Sequence, residues 1–326
     1  MRSEELERFN GLKALIVGDV MIDTYTKGVV ERMSPEAPVP IVNLTERFDR
    51  LGGAANVALN LKALGAEPMV CSVVGDDEAG KTLIRLMQSQ GLEVSGLVSS
   101  NQRRTTVKHR VLDGARQLLR IDEEDTFDLS DTEQSVLSLL VRRALEQTHV
   151  DVVVLQDYNK GVLTKTLIQE LIALCHKHSV PVVVDPKKKN FFAYRGATLF
   201  KPNAKELREG LGVTAETLEE LQAAMRKLQG RIDCPYLMVT LSDKGVMMLH
   251  NGTFTHLPAH PRDIADVSGA GDTVLSVAAL GVALTKAPEE IAQLSNIAGG
   301  LVCESIGVVP IDKTRFAEEV KRICHE

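Results

Sequence analysis

The sequence predicts an α/β fold: a parallel-rich sheet covered by helices on both faces, with a small β-strand lid inserted into it. Three observations carry the prediction. Short apolar runs bounded by glycine or aspartate alternate with longer stretches of helical periodicity, the pattern of βαβ units. Two polar, β-rich stretches, residues 21–48 and 103–122, interrupt that alternation and read as the lid. At 326 residues, 44% of them hydrophobic, the chain can bury a large core. It shows no low-complexity linker and no repeat, so one main domain over residues 1–326 is expected.

Residues 12–18 form an apolar run stopped at Gly18-Asp19, a buried strand with Asp19 and Asp23 at its carboxyl end, where open α/β sheets bind ligands. Pro35, Pro38 and Pro40 exclude a helix in the next stretch and favour extended edge strands. Gly52-Gly53-Ala54-Ala55-Asn56 opens a helix over residues 57–64, closed by Gly65. A strand at 68–74 and a helix at 77–90 follow, and then lid strands through 105–122 with a turn at Asp113-Gly114. A helix at 130–147, a strand at 151–156, a helix at 164–178 and strands at 180–185 and 199–201 continue the order. Helices around 205–210 and 215–229, a strand at 236–240, a hairpin from 245–250 and 253–257, and two final helices complete it.

Composition narrows the function. A net charge of −6, 4% aromatic residues and no tryptophan argue against a nucleic-acid partner. Cys71, Cys175, Cys234, Cys303 and Cys324 are scattered without metal-ligand spacing, as in a protein with reduced thiols. The N-terminus lacks a signal-peptide pattern, and the apolar run at 14–17 is too short to span or target. A cytoplasmic protein with no membrane partner is expected.

The richest stretch chemically is Asp266-Val267-Ser268-Gly269-Ala270-Gly271-Asp272-Thr273, which runs into an apolar helical pattern. Glycines let backbone N–H groups turn toward a ligand, and the helix start leaves N–H groups unpaired with partial positive charge behind them. That is an anion site with a carboxylate, Asp272, at its rim, as phosphoryl transfer to an alcohol requires. The competing account is a tight turn with Asp272 as a cap. Asp19, Asp23 and Asn56 are short polar groups suited to sugar hydroxyls, and Gly52 and Gly53 admit a ligand to the backbone; caps and turns are again the alternative. Asn203 and Glu206 fit either a helix start or a place beside Mg²⁺-bound phosphates, through water. Thr240, Ser242 and Gly245 end another strand and suit a nucleotide phosphate or ribose, or a plain β-turn. Arg104, Lys108, Arg110, Arg116 and Arg120 on the lid, with Lys187, Lys188 and Lys189, are candidate cations for a substrate phosphate, with solvated surface charge as the competing account for most of them.

One stretch matches the P-loop pattern literally: Gly75-Asp76-Asp77-Glu78-Ala79-Gly80-Lys81-Thr82. Three adjacent carboxylates there would repel a polyphosphate, so a capped helix start is the expectation and a nucleotide site on Lys81 is not.

The motifs at 52–56, Asn203 to Glu206, Thr240 to Gly245 and Asp266 to Thr273 occur in the order seen in PfkB-type carbohydrate kinases, the ribokinase-like family, which the chain resembles over essentially its whole length. The resemblance implies a ribokinase-like three-layer α/β/α sandwich with a β lid, and transfer of the ATP γ-phosphate to a sugar hydroxyl. It implies Asp272 as catalytic base and Gly269, Ala270 and Gly271 as the anion hole. It implies a substrate set of Asp19, Asp23, Gly52, Gly53, Asn56, Arg120, Asp157 and Lys187. Asn203, Glu206, Thr240, Ser242, Gly245, Asn296 and Gly299 would bind ATP, with Mg²⁺ held through the ATP phosphates near Asn203 and Glu206; a monovalent cation beside the Asp266 loop is left open.

Five further stretches look closest to the heptose-phosphate branch of that family: residues 17–23, 34–40, 117–122, 157–161 and 185–187. That likeness implies a sugar phosphate substrate phosphorylated at its anomeric hydroxyl. Some members carry a fused nucleotidyltransferase; no HxGH motif is present here, so a separate nucleotidyltransferase is the expected partner. Exposed lid strands invite pairing with a second lid, hence a homodimer.

Overall fold

The computed structural model describes residues 3–114 and 116–324. Strand β1 (Lys13–Gly18) leads directly into β2 (Val20–Met33), which returns through the proline-rich turn into β3 (Pro40–Gly53) and so into α1 (Ala54–Ala63). Next come β4 (Glu67–Gly75), α2 (Glu78–Ser89), β5 (Leu97–Ser100), β6 (Val107–Asp113), β7 (Arg116–Glu123), α3 (Asp131–Gln147) and β8 (Val152–Gln156). The chain continues through α4 (Lys165–Lys177), β9 (Val182–Asp185), β10 (Leu199–Phe200), α5 (Ala204–Leu211), α6 (Leu218–Ile232) and β11 (Tyr236–Thr240). It closes with β12 (Val246–His250), β13 (Thr253–Leu257), α7 (Ala270–Ala283), α8 (Pro288–Val302) and α9 (Lys313–Cys324).

The main sheet runs β13-β12-β11-β10-β9-β8-β1-β4-β5, parallel from β5 to β11 and antiparallel over β11, β12 and β13. Alternation along β1 shows why these strands read as unbroken apolar runs. Ala14 and Ile16 face one core with α1, α7 and α8, while Leu15 and Val17 face the other with α3, α4 and α6. Successive side chains of a strand point to opposite faces, so a strand covered on both sides is apolar throughout. The α/β sandwich with a parallel-rich sheet is therefore as expected.

A second sheet, β3-β2-β6-β7, projects from the carboxyl end of β1. The β2/β3 pair is antiparallel, β2/β6 parallel and β6/β7 antiparallel. Within the second predicted lid stretch, Ala115 lies outside the described residues.

Several details differ from expectation. Gly52 and Gly53 end β3 rather than open a helix, and α1 begins at Ala54. β5, only four residues, was too short for a periodicity signal. Three helices rather than two follow the glycine loop; in α9 the buried anchors are Phe316 and Val320, one turn apart in an otherwise charged segment. Cys71, Cys175, Cys234 and Cys303 are free and buried, and the Cys324 side chain lies outside the described residues.

Candidate active site

Helix α7 carries almost only small and apolar residues after its first turn, and Val274 to Val282 are buried between α1 and α8. That packing aims its N-terminus at the carboxyl ends of the parallel strands. The residue before it, Gly269, has a φ of +81°, and a Cβ there would come within 3.1 Å of the Asn56 Nδ2 atom. The positive φ favours glycine, and a Cβ would also crowd Asn56. The Ala270 N–H donates to Val267 O and the Thr273 N–H to Gly269 O. The Gly271 and Asp272 N–H groups lie in the turn whose donors a helix cannot itself satisfy.

Asp272, only 3% exposed, sits in that first turn. Its Oδ2 accepts from Asn56 Nδ2 at 2.7 Å; its Oδ1 accepts from the Tyr158 hydroxyl at 2.8 Å and from Gln156 Nε2 at 3.2 Å. Asn60, one turn along α1, donates to the Asn56 backbone oxygen at 2.9 Å and to its Oδ1 at 3.3 Å. The Asn56 amide is thereby held with its nitrogen toward the carboxylate. Burial pushes the Asp272 carboxyl up to about 6; the donors from Asn56 and Tyr158 oppose the rise, Asp185 adds to it and Lys201 subtracts. A carboxylate poised there can take a proton near neutral pH.

Beside the glycine loop lies a chain of ions. Lys201 Nζ, on a residue 2% exposed, pairs with Asp185 Oδ2 at 3.0 Å; Lys187 Nζ pairs with Asp185 Oδ1 at 3.3 Å and with Glu206 Oε1. A Cβ on Gly271 would lie 3.9 Å from Lys201 Nζ and 4.0 Å from Asp185 Oδ2. Burial raises the Asp185 carboxyl, but the Lys187 and Lys201 charges outweigh it and hold the group below its usual range. A buried cation therefore flanks the helix N-terminus, and together they favour negative charge.

The structure gathers several predicted residues around Asp272. Asp19, 1% exposed, accepts the backbone N–H groups of Tyr158 (2.7 Å), Lys160 (3.1 Å) and Val162 (3.1 Å), anchoring the loop that presents Tyr158. Asp23 pairs with Arg110, whose guanidinium lies over the Tyr25 ring. A Cβ on Gly52 would meet Asp23 Oδ2 at 2.3 Å, and one on Gly53 would meet the Asp19 carbonyl oxygen at 2.2 Å. The two glycines thus bring β3 against both acids.

The predicted nucleotide side lies along the ends of β10 and β11. Asn203 Oδ1 and the Glu206 N–H, and Glu206 Oε2 and the Asn203 N–H, form a reciprocal cap on α5. Asn203 also bridges to Thr240. Ser242 has a φ of +56°, and Gly245 (φ +86°) would place a Cβ 2.0 Å from the Leu257 carbonyl oxygen. Asn296 donates to the Pro258 carbonyl oxygen at 2.8 Å.

Other predicted residues are placed differently. Arg120 forms a two-point pair with Asp122 on the outer lid, its side chain 48% exposed, and does not reach Asp272. Asp157 turns inward, accepting from the Tyr194 hydroxyl and the Asn159 N–H at 2.7 Å each, so it braces the loop. Gly299 permits close packing, because a Cβ there would lie 2.6 Å from Val274 Cγ2. Lys108 pairs with Asp122 and Glu124, and Arg104 with Asp125. The P-loop match is the capped helix start expected: Asp77 Oδ1 accepts the Gly80 N–H at 2.7 Å, and exposed Lys81 pairs with Glu78. Gln156, Tyr158, Asp185 and Lys201 carry no motif that marks a role; all four sit at or just beyond the carboxyl ends of β8, β9 and β10, and that position is the signal the sequence offers.

Comparison with known proteins bears on this geometry. The family model for pfkB family carbohydrate kinases matches residues 12–315. The bifunctional protein HldE of Syntrophotalea carbinolica is 40% identical over 314 residues, covering 96% of this chain and 64% of that protein. This chain spans somewhat under two thirds of the HldE relatives it matches. The D-beta-D-heptose 7-phosphate kinase of Bordetella bronchiseptica is 41% identical over 319 residues, covering 98% of this chain and 99% of that one. Among solved structures, phosphofructokinase-2 from Escherichia coli in complex with potassium superposes with a TM-score of 0.79 at 18% identity, over 96% of this chain and 100% of that one. Arabidopsis thaliana ribokinase complexed with ribose and ATP gives 0.72 at 19% identity, over 94% and 99%. Those two show the fold; the sequence matches, running from the lid through the glycine loop, show that this chain belongs to the pfkB family of carbohydrate kinases.

Proposed function

We propose that the chain is an ATP-dependent sugar kinase that phosphorylates D-glycero-β-D-manno-heptose 7-phosphate at its anomeric hydroxyl, giving the 1,7-bisphosphate on the way to ADP-heptose. The observation that carries the chemistry is Asp272: a buried carboxylate lifted to about 6, on the first turn of a helix whose free N–H groups and neighbouring Lys201 favour an anion. Asp272 accepts the proton of the attacking hydroxyl, and the loop N–H groups with Lys201 stabilise charge on the transferring phosphoryl group. Asp19, Asp23, Gly52, Gly53 and Asn56 form the sugar wall, while the ends of β10 and β11 take the nucleotide. The lid closes over the sugar and excludes water.

Among the described residues no group of three or more histidine, cysteine, aspartate or glutamate side chains converges as a metal cage. Mg²⁺ asks for less: it keeps waters and phosphate oxygens and uses one or two carboxylates. Glu206, beside Asn203 at the start of α5, would supply one of them once its Oε1 is released from Lys187. When bound, the ion neutralises charge on the ATP phosphates. A monovalent cation is proposed at the Asp266 loop, on the strength of the fold neighbour solved in complex with potassium.

The choice of sugar rests on likeness to the Bordetella bronchiseptica protein across lid and core. An ATP-consumption panel tests it. Heptose 7-phosphate should exceed unphosphorylated heptose and ribose by about a hundredfold or more in kcat/KM, since sites built for a charged group reject analogues lacking it, while fructose 6-phosphate, which keeps a phosphate, tests the choice of sugar itself. Equal turnover of ribose or fructose 6-phosphate would assign the chain another sugar.

No helix among the described residues is long and apolar enough to cross a membrane, and a cytoplasmic location is proposed because ATP is the donor. Val29, Met33, Leu44, Leu119 and Ile121 are exposed apolar residues on the lid strands. We assign that surface to a second copy of the chain. Sedimentation as a monomer at micromolar concentration would remove the homodimer.

A further inference from the structure

The three donors on Asp272 are not alike. Asn56 and Gln156 are 0% exposed, whereas Tyr158 is half-buried and is the only one of the three that reaches solvent. The Tyr158 hydroxyl itself is buried against Oδ1 at 2.8 Å, so among these three donors it is the one on a residue whose remainder reaches the surface, and its movement would open Oδ1 to an arriving hydroxyl. Gln156 supplies a second, independent observation. Its Nε2 donates to that same Oδ1, yet its Oε1 is buried and has no hydrogen-bond partner. Buried amide oxygens are almost always paired, because leaving one unpaired sacrifices its hydration. The unpaired acceptor thus belongs to the amide that already touches the Tyr158 acceptor.

We propose that the Tyr158 hydroxyl is a placeholder for the acceptor hydroxyl: it occupies Asp272 when no sugar is bound and transfers its hydrogen bond to Gln156 Oε1 when sugar arrives. The proposal rests on Asp272 being the base. Asp19 holds the Tyr158 backbone N–H at 2.7 Å, so the exchange is a movement of the side chain on a fixed backbone. Tyr158 keeps its proton throughout. Burial, with the Asp272 and Asp185 charges, raises its hydroxyl well above the ordinary value, and Lys187 lies over its ring at 5.3 Å. The placeholder keeps water off the base until sugar displaces it, which restrains ATP hydrolysis.

Tyr158→Phe in the full chain tests this, because it retains the ring and deletes only the hydroxyl. The acceptor KM should fall about fivefold and sugar-free ATP hydrolysis should rise by a similar factor, the effect of one hydrogen bond. Because the Tyr158 donor lowers the Asp272 pKa, the acid limb of kcat/KM should move to higher pH. Gln156→Leu removes both the Oε1 acceptor and the Nε2 donor to Asp272; it should raise the acceptor KM, and the part of that rise due to the exchange should be lost when Tyr158→Phe is added. An unchanged acceptor KM and unchanged sugar-free hydrolysis in Tyr158→Phe would overturn the proposal. So would a loss of kcat beyond about a hundredfold at saturating sugar, which would make the hydroxyl part of the chemistry. If Asp272→Asn retains turnover, the base assignment itself falls; if it is inactive while Tyr158→Phe is silent, only the placeholder falls.

Discussion

Asp272→Asn is expected to lower kcat by about 10²–10⁴-fold while leaving ATP affinity unchanged, because an amide cannot take the proton of the attacking hydroxyl. The carboxylate lies with the sugar-side residues Asn56 and Tyr158, whereas the proposed nucleotide contacts are at the ends of β10 and β11, so the two effects should separate. The wild-type enzyme should show the same group in its pH profile. The base works only when ionised and burial has raised it to about 6, so kcat/KM should fall as pH drops through about 6 rather than through 4. Lys81→Ala is the paired control: its ammonium sits on the outside of α2 against Glu78, and kcat should not change. Near-normal kcat in Asp272→Asn, or a dead Lys81→Ala, would move the chemistry to the other loop.

Asp185→Leu should destabilise the fold by about 3–5 kcal/mol, the cost of leaving a buried ion without its partner. Lys187 retains Glu206 after that change, but Lys201, 2% exposed, loses Asp185, its ion-pair partner among the described residues. Urea denaturation measures the difference. Asp185→Leu with Lys201→Met should recover most of the loss, since replacing both ions with apolar groups of similar volume is often neutral. Stability equal to wild type in the single variant would mean that Lys201 escapes to water and is not a fixed cation beside Gly271. Sugar turnover should fall in both variants, because each removes charge from the edge of the phosphoryl site.

Much of this architecture was legible residue by residue. The apolar runs of β1 and β8, the prolines between β2 and β3, and the capping residues Asp77, Ser130 and Asn203 are local signals, and each marks a local structure. The glycine loop before α7 was legible too, since a left-handed Gly269 followed by a helix start is written in adjacent positions. The rejected P-loop shows the same logic: three carboxylates in a row were enough to argue against a phosphate cradle.

Partnerships across the chain were not written that way. Tyr158 and Asp272 are 114 residues apart, Asn56 and Asp272 216, and they meet because β8 ends where α1 and α7 begin, at the carboxyl ends of the parallel strands. The same local patterns would suit Asp157 facing the substrate and Tyr158 facing away; the opposite arrangement follows from Asp19 capturing the loop and Tyr194 capturing Asp157. Arg120 turned outward because a carboxylate two residues along its own strand offered a two-point pair. Periodicity, glycine placement and capping depend on neighbours in sequence, so they mark the strands, the lid and the glycine loop without reference to distant contacts. Which donor faces Asp272, and which cation is buried beside Gly271, depends on strand order and helix packing, because a hydrogen bond over about 3 Å is decided by distances that only the folded chain brings within reach.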